Sequence, residues 1–309
     1  MNKIYAIGEA LLDKIDGLSY VGGAPLNFIS AVNYFYKDSS FITVLAKDSD
    51  GQLIDQAIKD EGLDRTNLTF NYELVSPYSL VTNNEEGDRE FRFNFQNSTI
   101  DHLYKASFNF NTLSHDILYY GTVPLMFSNN YDFYLSFLEK TYLRNILIFD
   151  PNIRLSLFTK DKIQFLIFKL LPFAQIVKLS EDELEIIFTK HRLIDASWLR
   201  RKVKKLFKIC PYMKMLVLTR GSKGSIVYLN DGTKVKNKAR KIKAIDTTGA
   251  GDTYFGTFIA QIVLQKYFKE PSKEKIEKAM EKAAEISSKI CLKKGCLPIK
   301  SYLDSTKDN

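Results

Sequence analysis

The sequence predicts an α/β protein with a mostly parallel central sheet and helices on both of its faces. From residue 116 onward, short apolar runs alternate with segments of helical periodicity. A Gly-Ala-Gly turn at 249–251 opens one of these helices. Between residues 69 and 95, polar and apolar residues alternate instead, which predicts a small all-β layer beside the main sheet.

The segment around that turn, Ile245–Gly256, is the most informative part of the chain. Its apolar spacing predicts a helix over 252–267. The backbone N–H groups at the start of a helix lack helical partners, and the helix dipole is positive there. The segment Gly249-Ala250-Gly251 is therefore a candidate anion site. Because glycine has no side chain, a ligand can approach the backbone closely there.

Asp252 falls in the first turn of the same helix. A carboxylate there repels a bound phosphate, yet it suits a base that takes a proton from a hydroxyl group attacking that phosphate. Aspartate in a first helical turn is also ordinary capping chemistry. The residue by itself therefore leaves both interpretations open.

The amino-terminal segment supplies a second set of polar residues. A buried strand is predicted over 3–7, and the apolar run after it ends in Asp13. Ligands lie past the carboxyl ends of strands in doubly wound folds, although a turn aspartate is the alternative for Asp13. Gly23 belongs to a paired-glycine bend, and Pro25 suits the first position of the next helix. Asn27 then lies in the first turns, where its amide can bond sugar hydroxyl groups as donor and acceptor.

Three strings of residues carry a family resemblance. Asp-Thr-Thr-Gly-Ala-Gly-Asp at 246–252 resembles the C-terminal motif of the PfkB (ribokinase-like) family of sugar and nucleoside kinases. Gly-Gly-Ala-Pro-Leu-Asn at 22–27 resembles the N-terminal Gly-Gly-x-x-x-Asn motif in its fructokinase form, and Gly8–Asp13 is similar to the fructokinase opening. The resemblance implies a ribokinase-like three-layer α/β/α sandwich in a single domain over 1–309.

The resemblance also implies a role for the small β layer. It would be a lid, formed mainly by about 69–100 with segments near 10–22. Val75–Val81 and Glu90–Phe95 are its predicted hairpin strands, around a polar turn at 83–88. The lid is also the dimer contact in some relatives, so a monomer or a homodimer through the lid is expected.

The remaining elements follow from periodicity and turn residues. Asp50 is expected to cap a helix that runs to about Glu61, with Gly62 closing it. Strands are predicted at 41–46, 116–121, 146–150, 175–179 and 214–219, a hairpin at 225–236, and helices at about 130–143, 159–171 and 273–292.

Polar residues follow two of these strands. The string Asp-Pro-Asn-Ile-Arg at 150–154 is similar to a segment of fructokinases and ketodeoxygluconate kinases, which implies a sugar contact for Arg154. Ser180 and Glu183 have capping-box spacing at the start of a helix. The resemblance adds a second interpretation, in which Glu183 holds a Mg²⁺-bound water molecule near the phosphates of ATP.

The loop after strand 214–219 contains two glycines. It resembles the family's Thr-x-Gly-x-x-Gly loop, which implies ATP contacts for Thr219, Gly221, Ser222 and Gly224. Without the resemblance, the same residues indicate an ordinary glycine turn into a hairpin.

The resemblance implies the accompanying ions as well. Mg²⁺ is expected to arrive with ATP. In relatives, groups at the positions of Asp246 and Thr248 hold K⁺, so a monovalent-cation site is expected around these two residues.

Composition and charge argue against other classes of function. The net charge is +8, but the basic clusters at 200–208 and 234–243 indicate a solvated helix face and a basic loop rather than a nucleic-acid interface. The three cysteines lack metal-binding spacing, and no apolar run is long enough to span a bilayer. No signal peptide is apparent, so a cytoplasmic protein is expected. Neither a nucleic-acid partner nor a membrane partner is expected.

The resulting hypothesis is an ATP-dependent kinase that acts on a primary hydroxyl group of a small sugar, with fructose as the first choice. The sugar would bind among Asp13, Gly23, Asn27 and Arg154, and Asp252 would take the hydroxyl proton.

Alternatives remain for the molecule that accepts the phosphoryl group and for the class of protein. Asn94-Phe95 stands where fructokinase-like relatives often carry Tyr-Arg, so 2-keto-3-deoxygluconate, ribose or a nucleoside is an alternative acceptor. A non-catalytic regulator that binds sugar or nucleotide is the alternative of another class.

Overall fold

The computed structural model describes residues 2–83, 89–109, 113–188 and 196–306. Its strands, in chain order, are β1 (Ile4–Ile7), β2 (Leu11–Ile15), β3 (Leu18–Gly22), β4 (Ser39–Ala46), β5 (Leu68–Asn71), β6 (Tyr78–Asn83), β7 (Arg89–Asn94), β8 (Ile117–Gly121), β9 (Ile146–Asp150), β10 (Ile176–Ser180), β11 (Met215–Thr219), β12 (Ser225–Leu229) and β13 (Lys234–Asn237). Its helices are α1 (Ala24–Phe35), α2 (Ser49–Asp60), α3 (Ser128–Thr141), α4 (Lys160–Leu170), α5 (Glu181–Phe188), α6 (Ala196–Ile209), α7 (Ala250–Leu264), α8 (Lys273–Ile290) and α9 (Lys300–Ser305). Among these described helices, none is long and apolar enough to cross a membrane.

The main sheet of the described chain has the strand order β13-β12-β11-β10-β9-β8-β1-β4-β5. Neighbouring strands from β11 to β5 all run parallel. Only β12 and β13, at one edge of this order, pair in the antiparallel sense. The structure thus confirms the predicted α/β class with a mostly parallel sheet.

Each face of this sheet is covered by a separate hydrophobic core, because successive side chains of a strand point to opposite faces. In β8, Ile117 and Tyr119 belong to the core that also contains residues of α1, α7 and α8. Leu118 and Tyr120 belong to the core that contains residues of α3, α4 and α6. Helices therefore cover both faces, as in a three-layer sandwich.

A second sheet has the order β3-β2-β6-β7. β2 and β6 run parallel, and the two outer pairs are antiparallel. Its strands contribute to a small third cluster of buried residues, formed by Leu11, Phe95, Ile100 and Val123. The hairpin turn is predicted for 83–88, and residues 84–88 of it lie outside the described residues.

The ends of α7 and α2 differ from the sequence prediction. α7 begins at Ala250, two residues earlier than predicted, so the glycine turn leads directly into its first turn. The N-cap of α2 is Asp48 rather than Asp50. Asp48 Oδ1 accepts a hydrogen bond from the Gly51 N–H (2.7 Å), and its carboxylate also accepts bonds from the N–H and O–H of Ser76. A side chain that caps the Gly51 N–H must lie three residues before it, and Asp48 occupies that position.

α1 and α7 approach each other closely at Gly256. A Cβ atom on Gly256 would lie 2.3 Å from the Phe28 carbonyl oxygen and 2.9 Å from the Ala31 Cβ atom. The Phe28 ring stacks on that of Tyr119, with 4.1 Å between ring centroids. The absence of a side chain at 256 therefore brings the first turns of the two helices together against the sheet.

Replacing Gly256 by alanine is expected to lower the free energy of unfolding by about 1–3 kcal/mol, since backbone atoms of α1 cannot make room for the methyl group. In an open helix the same change would raise stability by about 1 kcal/mol. Urea unfolding of Gly256→Ala beside Gln261→Ala, in the same helix, measures the effect. A Gly256→Ala variant as stable as wild type would contradict the close approach.

Replacing Asp48 by alanine is expected to cost about 1–2 kcal/mol through the loss of the cap. Asp50→Ala is the matched control and should cost less than about 1 kcal/mol, because its partner Lys14 forms only a partly exposed ion pair. Both values are measured by chemical unfolding at neutral pH. A larger loss of stability in Asp50→Ala than in Asp48→Ala would indicate that Asp50 is the cap.

The same capping bonds predict a dependence on pH. Burial by itself would raise the pKa of Asp48, but the hydrogen bonds from Ser76 and Gly51 hold it below its usual range. The stabilisation is therefore present above the pKa of the unfolded state, about 3.9, and is lost as the pH falls through the lower folded value. The stability difference between wild type and Asp48→Ala should shrink as the pH drops below about 4.

Candidate active site

Two cavities open at the carboxyl ends of the main-sheet strands, where ligands bind in folds of this kind. Cavity I, of about 560 Å³, is lined by residues that follow β1, β9 and β10, by the second sheet and by the start of α7. Cavity II, of about 590 Å³, is lined by the loop after β11, by residues 238–242 and by parts of α7 and α8. Thr219, Thr247 and Gly251 line both cavities, so the cavities meet at the start of α7.

Asp252 lines cavity I from the first turn of α7. Its Oδ2 accepts a hydrogen bond from Asn27 Nδ2 of α1, at 3.0 Å. The Asn27 Oδ1 atom is buried and has no hydrogen-bond partner in the described structure. Asn27 therefore orients Asp252 and retains one acceptor for a ligand.

The glycine turn before α7 is fixed by sterics. Gly249 has a left-handed conformation with φ of 71°, and a Cβ atom there would lie 2.4 Å from Cys296 Sγ. The Ala250 N–H donates to the Thr247 carbonyl at 3.1 Å. Of the three amides predicted to hold an anion, the one at Ala250 thus already has a partner.

A buried ion pair lies beside this turn. Lys178 Nζ of β10 is 3.0 Å from Asp150 Oδ1 at the end of β9, and both side chains are almost fully buried. Burial by itself would lower the pKa of Lys178, but Asp150, Glu183 and Asp252 together raise it, so the lysine is charged. A Cβ atom on Gly251 would lie 3.6 Å from Lys178 Nζ. A positive charge therefore stands against the start of α7.

Asp13 and Arg154 border cavity I from two different parts of the fold. Asp13 lies on β2, and its Oδ1 accepts a hydrogen bond from Ser79 Oγ of β6. Burial raises the pKa of Asp13, while the Ser79 bond and the Arg154 charge oppose the shift. Arg154 follows β9 and is exposed at the rim, where its guanidinium group can reach a ligand.

Glu9 follows β1 and also lines cavity I. Its side chain is buried, and its Oε2 has no hydrogen-bond partner among the described residues. Burial raises the pKa of Glu9 to about 8, against the opposing effects of a backbone N–H and Arg154. A Cβ atom on Gly23 would lie 2.7 Å from the Glu9 carbonyl oxygen, which explains the glycine. At neutral pH Glu9 is thus a largely neutral acid with one polar atom left for a ligand.

Glu183 forms the capping box that its spacing predicts. Ser180 Oγ accepts a bond from the Glu183 N–H (3.1 Å), and Glu183 Oε2 accepts one from the Ser180 N–H (2.7 Å). Glu183 Oε1 accepts a bond from the Ile153 N–H at 2.8 Å. Each oxygen retains a second acceptor position. In the described part of the chain, no cluster of three or more histidine, cysteine or acidic residues suits a metal ion.

The glycine loop after β11 forms one side of cavity II. Thr219, Gly221, Ser222 and Gly224, for which the resemblance implies ATP contacts, all line it. Gly221 and Gly224 have φ of 52° and 89°. The facing wall is partly apolar and comprises Ile242, Ala244, Tyr254 and Ala284. A polar loop opposite an apolar wall suits a ligand with both a flat ring and phosphate groups.

Asp246 and Thr248 lie against the loop formed by residues 291–296. Asp246 Oδ1 accepts bonds from the N–H (2.9 Å) and O–H (2.8 Å) of Thr248, and Oδ2 accepts one from the Gly295 N–H (3.0 Å). Lys293 Nζ donates to the carbonyl oxygens of Gly295 (2.7 Å) and Cys296 (2.6 Å). The Lys293 side chain is therefore hydrogen-bonded to carbonyl oxygens next to the expected cation site.

Nearly all residues that the sequence singled out come together here. All except Asp246 line one of the two cavities. Sequence reasoning missed Glu9, Lys178 and Lys293. A single lysine inside an otherwise apolar strand was a signal for Lys178, and a carboxylate directly after β1 was a signal for Glu9. Nothing in the sequence distinguished Lys293 from its neighbour Lys294.

Known proteins are similar over most of the chain. The model of the family described as pfkB family carbohydrate kinase matches residues 10–301. Fructokinase-1 of Zea mays is 28% identical over 285 residues, which cover 87% of this chain and 84% of the relative. Fructokinase-2 of Solanum lycopersicum is 28% identical over 278 residues, which cover 84% and 81%.

Solved structures share the fold. Fructokinase from Vibrio cholerae O395, with fructose, ADP and calcium ion bound, has a TM-score of 0.81 at 22% identity and covers 97% of this chain and 96% of its own. Aminoimidazole riboside kinase from Salmonella enterica, with aminoimidazole riboside and an ATP analog, has a TM-score of 0.80 at 20% identity over 98% and 99%. These neighbours confirm the ribokinase-like sandwich. Because the family model spans nearly the whole chain, the protein belongs to the pfkB family of carbohydrate kinases.

Proposed function

We propose that this sugar kinase transfers the γ-phosphoryl group of ATP to a primary hydroxyl group of fructose. The observation that carries the proposal is the meeting of cavities I and II at the start of α7, with Asp252 on the side of cavity I. A sugar in cavity I and a nucleotide in cavity II would face each other across Gly251, which direct transfer between two substrates requires.

The acceptor would be held by groups that lack partners or stand at the rim. Asn27 Oδ1 and Glu9 Oε2 are buried without partners in the described structure, and sugar hydroxyl groups can satisfy both. Asp13 and Arg154 would bind further hydroxyl groups from the two sides of the cavity. Phe95 lines the same cavity and provides an apolar contact for the carbon skeleton.

The carboxyl groups of cavity I favour a neutral sugar. Asp13, Glu183 and Asp252 line it, whereas Lys178 is already paired with Asp150. A sugar acid such as 2-keto-3-deoxygluconate would rely on Arg154 alone for its charge. Together with the fructokinase relatives, this balance supports fructose over the acid.

The chemical step would proceed as follows. Asp252 accepts the proton of the attacking hydroxyl group while that oxygen forms a bond to the γ-phosphorus atom. The bond from phosphorus to the bridging oxygen breaks, and the electron pair leaves with ADP. The Gly249 and Gly251 amides at the positive end of α7, with Lys178 beside them, stabilise the negative charge on the transferring group.

Glu183 is the residue we propose for contact with the metal. Mg²⁺, bound with ATP, would supply neutralisation of the phosphate charge. Both Glu183 oxygens already accept one backbone bond, and each can accept another from a metal-bound water molecule.

The second sheet is proposed as a lid over cavity I. Asp13, Ser79 and Phe93, one from each of three of its strands, line that cavity. A closed lid excludes water and so suppresses hydrolysis of ATP. Leu18 of β3 is 57% exposed on this sheet, so a homodimer through the lid remains the alternative to a monomer.

Asp252→Asn is expected to lower turnover about 10²- to 10⁴-fold, because it removes the proton acceptor and keeps the shape of the side chain. Nucleotide affinity should change little, since Asp252 does not line cavity II. Asp182→Asn is the matched control, because Asp182 is an exposed carboxylate of the same cavity. Turnover of Asp252→Asn within a few-fold of wild type would rule out this mechanism.

Release of ADP from Mg-ATP should depend on fructose far more than on glucose, ribose, 2-keto-3-deoxygluconate or adenosine. The comparison uses kcat/KM at equal enzyme concentration. A preference for 2-keto-3-deoxygluconate would disprove the charge argument for cavity I. A folded protein that releases no ADP with any acceptor would contradict the proposed reaction as a whole.

A further inference from the structure

Lys293 places its ammonium group inside the loop that joins α8 to α9. Its Nζ donates to the carbonyl oxygens of Gly295 (2.7 Å) and Cys296 (2.6 Å). It also lies 5.5 Å from the centre of the Tyr302 ring. Convergent backbone carbonyl oxygens are the ligands that protein sites offer to K⁺. A lysine side chain thus makes the contacts that a bound monovalent cation would make.

The surroundings of this ammonium group are acidic. Burial lowers the pKa of Lys293, whereas the Cys296 thiol and the carboxyl groups of Glu61 and Asp246 oppose the shift. Both carboxyl groups are buried, with exposures of 1% for Glu61 and 7% for Asp246. The two buried carboxyl groups only partly offset the lowering of the Lys293 pKa by burial.

Short contacts connect this loop to the glycine turn. The Gly295 N–H donates to Asp246 Oδ2, and Asp246 Oδ1 accepts both polar hydrogens of Thr248. In addition, Cys296 Sγ lies 2.4 Å from the position that a Cβ atom of Gly249 would take. The position of the loop therefore sets the position of Thr248 and Gly249 before α7.

We propose that Lys293 is a built-in substitute for a bound monovalent cation, and that it positions the glycine turn without K⁺. The expected K⁺ site around Asp246 and Thr248 does not fit this chain, because a second cation would stand beside an ammonium group that already bonds the neighbouring carbonyl oxygens. Lys293 lines neither cavity, so it acts as a positioning residue. Its effect on turnover rests on the proposed kinase reaction, but its effect on stability does not.

The test compares KCl with choline chloride at equal ionic strength, for wild type and Lys293→Met. Wild type should have the same thermal unfolding midpoint and the same ADP release, within about twofold, in both salts. In choline chloride, Lys293→Met should unfold several degrees lower, and its turnover should fall about 10- to 100-fold, because the glycine turn is misplaced. KCl should restore part of both losses, since K⁺ can occupy the vacated carbonyl oxygens.

Lys294→Met is the matched control, because Lys294 is the exposed neighbour with the same charge. It should follow wild type in both salts. If Lys293→Met does not fold, Lys293→Gln takes its place in every comparison. Glutamine keeps a hydrogen-bond donor but carries no charge.

Two results would overturn the inference. One is a tenfold or greater activation of wild type by K⁺. The other is a Lys293 variant with wild-type stability and turnover in choline chloride. If wild type releases no ADP with any sugar, the proposed reaction fails separately, and the unfolding midpoints still decide the role of Lys293.

Discussion

The contact between α1 and α7 at Gly256 is the constraint on which the site depends. Because residue 256 has no side chain, the Phe28 backbone packs directly against α7, and the first turns of the two helices meet. Asn27 and Asp252 then lie 3.0 Å apart, although 225 positions separate them in the chain. The amide and the carboxylate belong to one packed unit. Groups carried on packed helices are held with less freedom than groups on loops, which is what a proton transfer requires.

Cavity I brings carboxyl groups and the buried ammonium group of Lys178 close together. Cavity I carries the carboxyl groups of Glu9, Asp13 and Asp252. Positive charge is concentrated where a phosphoryl group would stand, through Lys178 and the positive end of α7. Asp150 holds Lys178 in place by a buried ion pair, so this charge needs no rearrangement when substrates bind. The proposed base and the proposed anion site can thus be adjacent without neutralising each other.

The glycine turn is supported from a third direction by the loop at 291–296. Tyr20 of β3 rests on this loop, since a Cβ atom on Gly295 would lie 2.7 Å from its ring. The second sheet, the loop and the turn before α7 are therefore in continuous contact. Gly295, which Tyr20 contacts, also donates its N–H to Asp246 Oδ2, so this loop links the second sheet to the turn before α7.

The amino-acid sequence alone determined the fold class, most of the strands and helices, and many of the residues that line the two cavities, although not Glu9 or Lys178. It did so because periodicity, glycine turns and the capping box of Ser180 and Glu183 are local properties of the chain. Tertiary structure alone decided which carboxylate caps α2, the pairing of Lys178 and the contacts of Lys293. Burial and partners from distant segments set these features, and no local pattern separates Lys293 from Lys294 or Asp48 from Asp50.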